Sequence, residues 1–289
     1  MISVIIPSYN RAGTITRAVM SVLNQTYQDL ELWVIDDCSK DNTKEVLDTI
    51  NDPRLHYYRL EKNSGACVAR NKGIELSQGD FIAFNDSDDQ WHPDKLEKQL
   101  AFLEQTGADF VTCAMDVKDD EGHFLHKFPK TIPEGKRNYL DILAYNHAST
   151  QVFFGKATCF KEILFDPTMP RLQDWDELLR LSQRFNVFYQ DEVLVDTFVQ
   201  KDSISTHPEK GVTAMEKLWE KHQDAIKTNP SIADSFLHKE ASFVAKCGQN
   251  PTKVFKRLVE ITPSARNKAS LLLCRLGLYL PLFGLKNRR

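Results

Sequence analysis

Phe81-Ile82-Ala83-Phe84-Asn85-Asp86-Ser87-Asp88-Asp89 is an apolar run that ends in a cluster of acids. Four apolar residues suit a buried strand, and the run breaks at once into acids, so one strand carries carboxylates to its carboxyl end. That is where ligands bind in open α/β sheets. The same rhythm recurs upstream. Ser3 to Ile6 reads as a buried strand, and Ile15, Ala18, Val19, Val22 and Leu23 share one helical face behind it. Glu31 to Ile35 is a second strand, stopped by Asp36-Asp37-Cys38-Ser39, and Leu55 to Leu60 is a third. Ala66 to Leu76 reads as a helix, broken by Gly79 ahead of the acidic strand. Short β-branched or aromatic runs alternating with amphipathic stretches predict βαβ units and a mixed, mostly parallel sheet flanked by helices.

Downstream, Pro93 opens a helix reaching about Thr106, and Asp109 to Met115 is a strand. The stretch from Asp116 to Asn138 loses periodicity and reads as a hairpin or variable loop. A mixed segment to Phe165 precedes a helix from Asp174 to Phe185 and a strand from Val187 to Val195. Beyond Ser205 only helices are predicted: Gly211 to Thr228, Ile232 to Cys247, Pro251 to Ile261 and Lys268 to Phe283. The expected division is therefore an α/β body, 1–205, and a helical C-terminal extension, 206–289. Within the body, 1–115 is the strongly periodic part and 116–205 the mixed one.

The 289 residues are 42% hydrophobic and 27% charged, which is globular composition and excludes a disordered or disulfide-scaffold chain. A formal net charge of −3 excludes an overall nucleic-acid magnet, yet from Lys246 onward ten Lys/Arg face the single acid Glu260, leaving −12 for the remainder. An acidic body with a basic tail suits a phosphate-bearing surface, lipid headgroups above all. Leu271, Leu272, Cys274, Leu278 and Leu282 give that tail an apolar face, among Lys268, Arg275, Lys286, Arg288 and Arg289. The segment Leu271 to Leu285 contains Arg275 and Pro281 and is too short to span a bilayer, so it is expected to lie on a membrane. Aromatic interleaving is sparse there, and no nucleic-acid partner is expected. Six scattered cysteines without a C-x-x-C pair, and no signal peptide, point to a cytoplasmic setting, peripheral on the inner membrane face.

Two carboxylates one residue apart, Asp86 and Asp88, can hold Mg²⁺ or Mn²⁺ with positions left open for phosphate oxygens; the alternative is a solvated turn capping the next helix. Asp36-Asp37 can equally cap a loop or accept hydrogen bonds from a nucleoside. A nicotinamide enzyme wants G-x-G-x-x-G where this chain has Pro7-Ser8-Tyr9-Asn10-Arg11, and no P-loop or glycine-rich nucleotidyltransferase loop is present.

Taken in order, Val4-Ile5-Ile6-Pro7-Ser8-Tyr9-Asn10, Val34-Ile35-Asp36-Asp37-Cys38-Ser39, Asn63-Ser64-Gly65-Ala66 with Ala69-Arg70-Asn71-Lys72-Gly73, and Phe84-Asn85-Asp86-Ser87-Asp88-Asp89 closely resemble the family 2 glycosyltransferases of GT-A (Rossmann-like) fold. Gln173-Asp174-Trp175-Asp176-Glu177-Leu178 is similar to that family's Glu-Asp-Trp-Asp helix start. The resemblance covers roughly residues 1 to 205 and implies inverting transfer of a sugar from a nucleotide donor, a UDP-sugar first, to a hydroxyl of a glycan or lipid-linked acceptor in surface polysaccharide synthesis, with the nucleotide on 1–115 and the acceptor on 116–205.

By that resemblance Pro7, Tyr9, Asn10, Asp37, Arg70, Asp86 and Ser87 belong to nucleotide binding. Tyr9 would stack on the base and Asp37 accept the uracil imide proton. Asp88, with Asp86, is implied to hold Mn²⁺ or Mg²⁺ against the leaving diphosphate, with Asp89 behind it. Asp174 is implied as general base, Trp175 as an acceptor platform, and His207 or Lys201 as a cation on a loop over the diphosphate. Two departures stand out: Gln173 replaces the usual Glu, and Asn85 a usual aliphatic residue. The competing expectation is a catalytically silent nucleotide-sugar or glycan-binding module, against which the intact Asp86, Asp88 and Asp174 argue.

Overall fold

A computed structural model describes residues 1–199 and 207–286. In chain order its first part runs β1 (Ile2–Ser8), α1 (Ile15–Leu23), β2 (Leu30–Asp36), α2 (Thr43–Leu47), β3 (Leu55–Arg59), α3 (Ala66–Leu76) and β4 (Phe81–Phe84). There follow β5 (Gln90–Trp91), α4 (Lys95–Thr106), β6 (Phe110–Lys118), β7 (Phe124–Phe128), β8 (Gly135–Arg137) and α5 (Tyr139–Ala144). A 3₁₀ turn (Thr150–Val152), β9 (Phe154–Lys156), α6 (Ala157–Glu162), α7 (Gln173–Ser182) and β10 (Val187–Phe198) complete the sheet region. The helices α8 (Pro208–Thr228), α9 (Pro230–Lys246), α10 (Thr252–Ile261), α11 (Ala265–Arg275) and α12 (Tyr279–Lys286) come last.

All seven residues of β1 are buried, as its largely apolar run requires of a strand covered on both faces, with the buried Ser3 hydroxyl donating to Glu31 Oε1. The sheet has ten strands in the order β3-β2-β1-β4-β9-β6-β10-β5, with β7 added to β6 and β8 to β10. From β3 to β4 every pairing is parallel, so β1, β2 and β4 open their carboxyl ends along one edge. The other half makes the sheet mixed, as expected, while its longest pairing, β10 with β6 from Val187 to Phe198, is again parallel. Strand β9 lies antiparallel to both β4 and β6, and β5, β7 and β8 also pair antiparallel. Such short return strands carry no βαβ signal, because a hairpin or insertion needs no crossover helix.

The aperiodic 116–138 stretch supplies β7 and β8. In the core, Phe84 packs edge-on against Phe160 and Phe165, with ring centroids 5.0 and 5.3 Å away, which anchors the strand that carries the acidic loop. Helix α4 ends at Gly107, whose φ of +66° suits a left-handed cap.

The chain divides into two units: Met1–Asn138 with His147–Pro167 and Gln173–Gln200, and Tyr139–Asn146 with Thr168–Leu172 and Lys201–Arg289. In the second, α9 packs on α5, α8 and α10, and α10 on α11. The single helix expected over Lys268 to Phe283 is two, because Gly277 takes φ +70° and turns the chain between α11 and α12. Leu271 and Cys274 are buried, so the expected apolar tail face is corrected: Leu272, Leu276, Leu278 and Leu282 are the leucines left exposed. Arg288 and Arg289 lie outside the described residues. Among the described residues no helix is long and apolar enough to cross a membrane.

Candidate active site

The site forms where β1, β2 and β4 end. Asp36, fully buried, accepts hydrogen bonds from Tyr57 Oη at 2.6 Å, Ser39 N at 2.8 Å and Arg59 Nη1 at 3.3 Å, so the first acid of the pair is a structural latch. Asn10, at φ +53°, accepts from Lys40 N at 2.8 Å and donates its own N–H to Ser39 Oγ at 2.8 Å. Together these bonds tie the loop after β1 to the loop after β2. Pro7 is buried in β1 opposite Ile35, whereas Tyr9 just beyond the strand is 38% exposed.

Asp37 is buried and caps the start of α3: Oδ1 accepts from Ser64 N at 2.6 Å and Oδ2 from Gly65 N at 2.7 Å. Gly65 has φ +91°, a conformation open to glycine and strained for other residues. Each carboxylate oxygen retains a further lone pair, so capping does not exhaust its capacity as an acceptor.

The acidic loop is held from three sides. Asp86 Oδ1 accepts from Arg70 Nη2 at 2.9 Å and from Thr150 Oγ1 at 3.4 Å. The backbone carbonyl of Asp88 accepts from Arg17, while its carboxylate lies 3.8 Å from Arg11 Nε. Asp89 is buried and accepts from Thr197 Oγ1 at 2.7 Å and Phe198 N at 3.1 Å, which makes it the anchor of β10. Ser87 is buried, as is Asn85, whose side-chain amide has no hydrogen-bond partner among the described residues.

Burial, then the charge of Asp86, pushes the Asp88 carboxyl above the usual carboxylate range. Burial and the charges of Asp88 and Asp86 raise Asp89 further. Three acids crowded into four residues leave a surplus of negative charge, and oxygen donors of this kind fit a hard divalent cation. Among the described residues no group of three or more His, Cys, Asp or Glu is arranged to hold a metal, so a cation here needs oxygens from a ligand as well.

Asp174 lies in the first turn of α7, its Oδ1 accepting from Trp175 N at 2.7 Å. Trp175 is 1% exposed, which corrects the expectation of a sugar platform: its ring belongs to the core. Asp176 and Glu177 are both buried against Arg180 on the same helix. Gln173 accepts from Arg70 Nη1 at 3.1 Å, so Arg70, expected at the nucleotide, is turned toward protein groups. His207 belongs to the other unit, ahead of α8, with Nδ1 3.0 Å from Glu209 Oε1. Lys201 lies outside the described residues. Arg17 and Thr150 escaped the sequence reading. The available signal for Arg17 was its place off the apolar face of α1, and Thr150 sat in a segment without period.

The description "Glycosyl transferase family 2" matches residues 3–164 of this chain. The chain belongs to that family. As a family 2 glycosyltransferase it is similar to TuaG of Bacillus subtilis (strain 168), a glycosyltransferase assigned to teichuronic acid biosynthesis, at 35% identity over 227 residues, 76% of this chain and 86% of that protein. WcaA of Escherichia coli (strain K12), assigned to colanic acid biosynthesis, is 37% identical over 189 residues, 63% of this chain and 66% of that protein. The UDP-Glc:alpha-D-GlcNAc-diphosphoundecaprenol beta-1,3-glucosyltransferase WfgD of Escherichia coli is 41% identical over 111 residues, 38% of this chain and 44% of that protein. Among solved structures, S. aureus TarS 1-349 in complex with UDP-GlcNAc has a TM-score of 0.72 at 20% identity, covering 99% of this chain and 91% of that one, a likeness of fold. The glycosyltransferase thus has the α/β architecture of that fold with a helical C-terminal region.

Proposed function

We propose that this enzyme transfers a sugar from a UDP-sugar, with inversion, to a hydroxyl of a glycan or lipid-linked acceptor in bacterial surface polysaccharide synthesis. The observation that carries it is the grouping of Asp37, Asp86 and Asp88 with the exposed Tyr9 at the carboxyl ends of parallel strands. Tyr9 stacks on the base, Asp37 accepts from it, and Pro7, Asn10, Asp86 and Ser87 shape the nucleoside and diphosphate subsite. Asp88, with Asp86, would hold Mn²⁺ or Mg²⁺, which when bound offsets the charge gathering on the leaving diphosphate.

Asp174 takes the proton of the acceptor hydroxyl while that oxygen bonds to the anomeric carbon. The bond from that carbon to the diphosphate oxygen breaks on the opposite face, and one displacement inverts the centre. The named activities of TuaG, WcaA and WfgD support the pathway and the acceptor class. The 1–205 body performs this chemistry, and the C-terminal helices place it on the cytoplasmic face of an anionic membrane through Leu272, Leu276, Leu278 and Leu282.

Turnover of UDP-sugars with Mn²⁺ tests the reaction. Asp174→Asn is expected to lose at least ~100-fold in kcat, the lower range for loss of a general base, while UDP affinity is kept. Wild-type protein that binds UDP-sugars but transfers nothing to any glycan or lipid-linked acceptor would favour the silent module.

A further inference from the structure

Arg70 is a charged residue only 6% exposed, placed on the inner face of α3. Its two Nη groups meet three separate pieces of chain, while Nε has no hydrogen-bond partner among the described residues. Nη2 donates to Asp86 Oδ1 at 2.9 Å, past the end of β4, and to Thr150 Oγ1 at 3.0 Å in the 3₁₀ turn. Nη1 donates to Gln173 Oε1 at 3.1 Å, on the first residue of α7. The guanidinium carbon stands 5.4 Å from the ring centroid of Phe165. The neighbouring Asn71 fixes Phe165 in turn, donating to its carbonyl at 2.8 Å and accepting from its N–H at 2.9 Å. A planar guanidinium so surrounded has little freedom to reorient.

We propose that Arg70 is a positioning residue: it sets Asp86, which meets the donor, against Gln173, and so fixes where Asp174, the next residue, stands for proton transfer. The inference rests on the proposed function, and its new content is the Asp86–Arg70–Gln173 link. Misplacing a base by about 1 Å costs on the order of 10²-fold in rate, so a link of this kind acts on kcat. The departure at Gln173 acquires a role here. Its amide oxygen accepts from Arg70 without a charge, so of the three side chains Arg70 bonds in the fork, Asp86 alone is ionic.

The test compares wild type, Gln173→Leu and Gln173→Glu, reading UDP affinity by calorimetry with Mn²⁺, and kcat and donor KM from turnover, after thermal melts confirm folding. Gln173→Leu removes the acceptor and is expected to lower kcat at least ~10-fold while UDP affinity and donor KM stay within about threefold. Gln173→Glu restores an acceptor for Nη1 and is expected to recover most of that loss. Adding Asp86→Asn to Gln173→Leu is expected to cost less than the product of the two single effects, as for residues joined through one partner. Equal kcat in Gln173→Leu and wild type overturns the proposal, as does a loss of UDP affinity that matches the loss of kcat. Wild-type protein that binds no UDP overturns the proposed function, and this inference with it.

Discussion

Arg17 lies over Phe198, its guanidinium carbon 3.7 Å from the ring centroid, and from there it donates to the carbonyl of Asp88. The contact holds the backbone of an acid whose carboxylate lies 3.8 Å from Arg11 Nε, and it joins α1 to the end of β10. Loss of a cation–π contact and a hydrogen bond of this kind costs roughly 1–2 kcal/mol. Arg17→Ala is therefore expected to weaken Mn²⁺-dependent UDP binding about tenfold by calorimetry, with Arg17→Lys in between. Unchanged affinity in Arg17→Ala would show that Asp88 needs no support from α1.

Lys95 is a fully buried amine, 2.6 Å from Gln99 Oε1 and 3.9 Å from the Trp91 ring centroid. Burial pulls its pKa down from 10.5 to about 8, so the folded state disfavours the proton. That penalty is present in full below pH 8 and fades as pH rises toward 10.5, where the unfolded chain also loses the proton. Lys95→Met is expected to raise the unfolding free energy by about 1–3 kcal/mol at neutral pH, with the gain shrinking in alkali. Urea melts across that range decide it, and a Met variant less stable at neutral pH would contradict it.

Glu240 sits in the helical unit with its side chain 3% exposed and Arg257 Nη1 at 3.3 Å. Burial raises its pKa from 4.5 to about 7, with Arg257 opposing. A raised pKa stabilises the fold below pH 4.5, and that contribution is lost as pH rises through about 7. Glu240→Gln is thus expected to gain in Tm relative to wild type between pH 5 and pH 8. A flat difference across that interval would rule out burial as the controlling cause.

Much of the first half was legible because strand periodicity and strand-ending acids are local signals. Ala66–Leu76 and Phe81–Phe84 emerge with the bounds expected of them. What stayed hidden depends on distant pairing. Nothing in Phe154–Lys156 announces a strand inserted between β4 and β6, since three residues hold no period and its partners lie more than thirty residues away. The same holds at the site. The motif singles out Arg70, but whether its fork meets a phosphate or Asp86, Thr150 and Gln173 is set by three loops converging in space. Trp175 is a like case, since its core position depends on which way α7 faces.

On the C-terminal helices, Leu272, Leu276, Leu278 and Leu282 are 48–61% exposed, and beyond Glu260 the sequence has six Lys/Arg and no acid. Flotation with phosphatidylglycerol vesicles is expected to carry the protein, and neutral phosphatidylcholine vesicles to carry less. Replacing Leu272 and Leu276 together by Gln should weaken binding about thirtyfold, given ~1 kcal/mol for each half-buried leucine. Equal flotation of that variant, or binding indifferent to lipid charge, would assign those leucines to another surface.

The proposed transfer needs a nucleoside diphosphate site built on Asp88. Calorimetry of UDP with and without Mn²⁺ against wild type and Asp88→Ala measures it directly. Metal-dependent binding by wild type, at least ~10-fold weaker in the variant, is the predicted result. UDP binding that ignores both the metal and the substitution would contradict it.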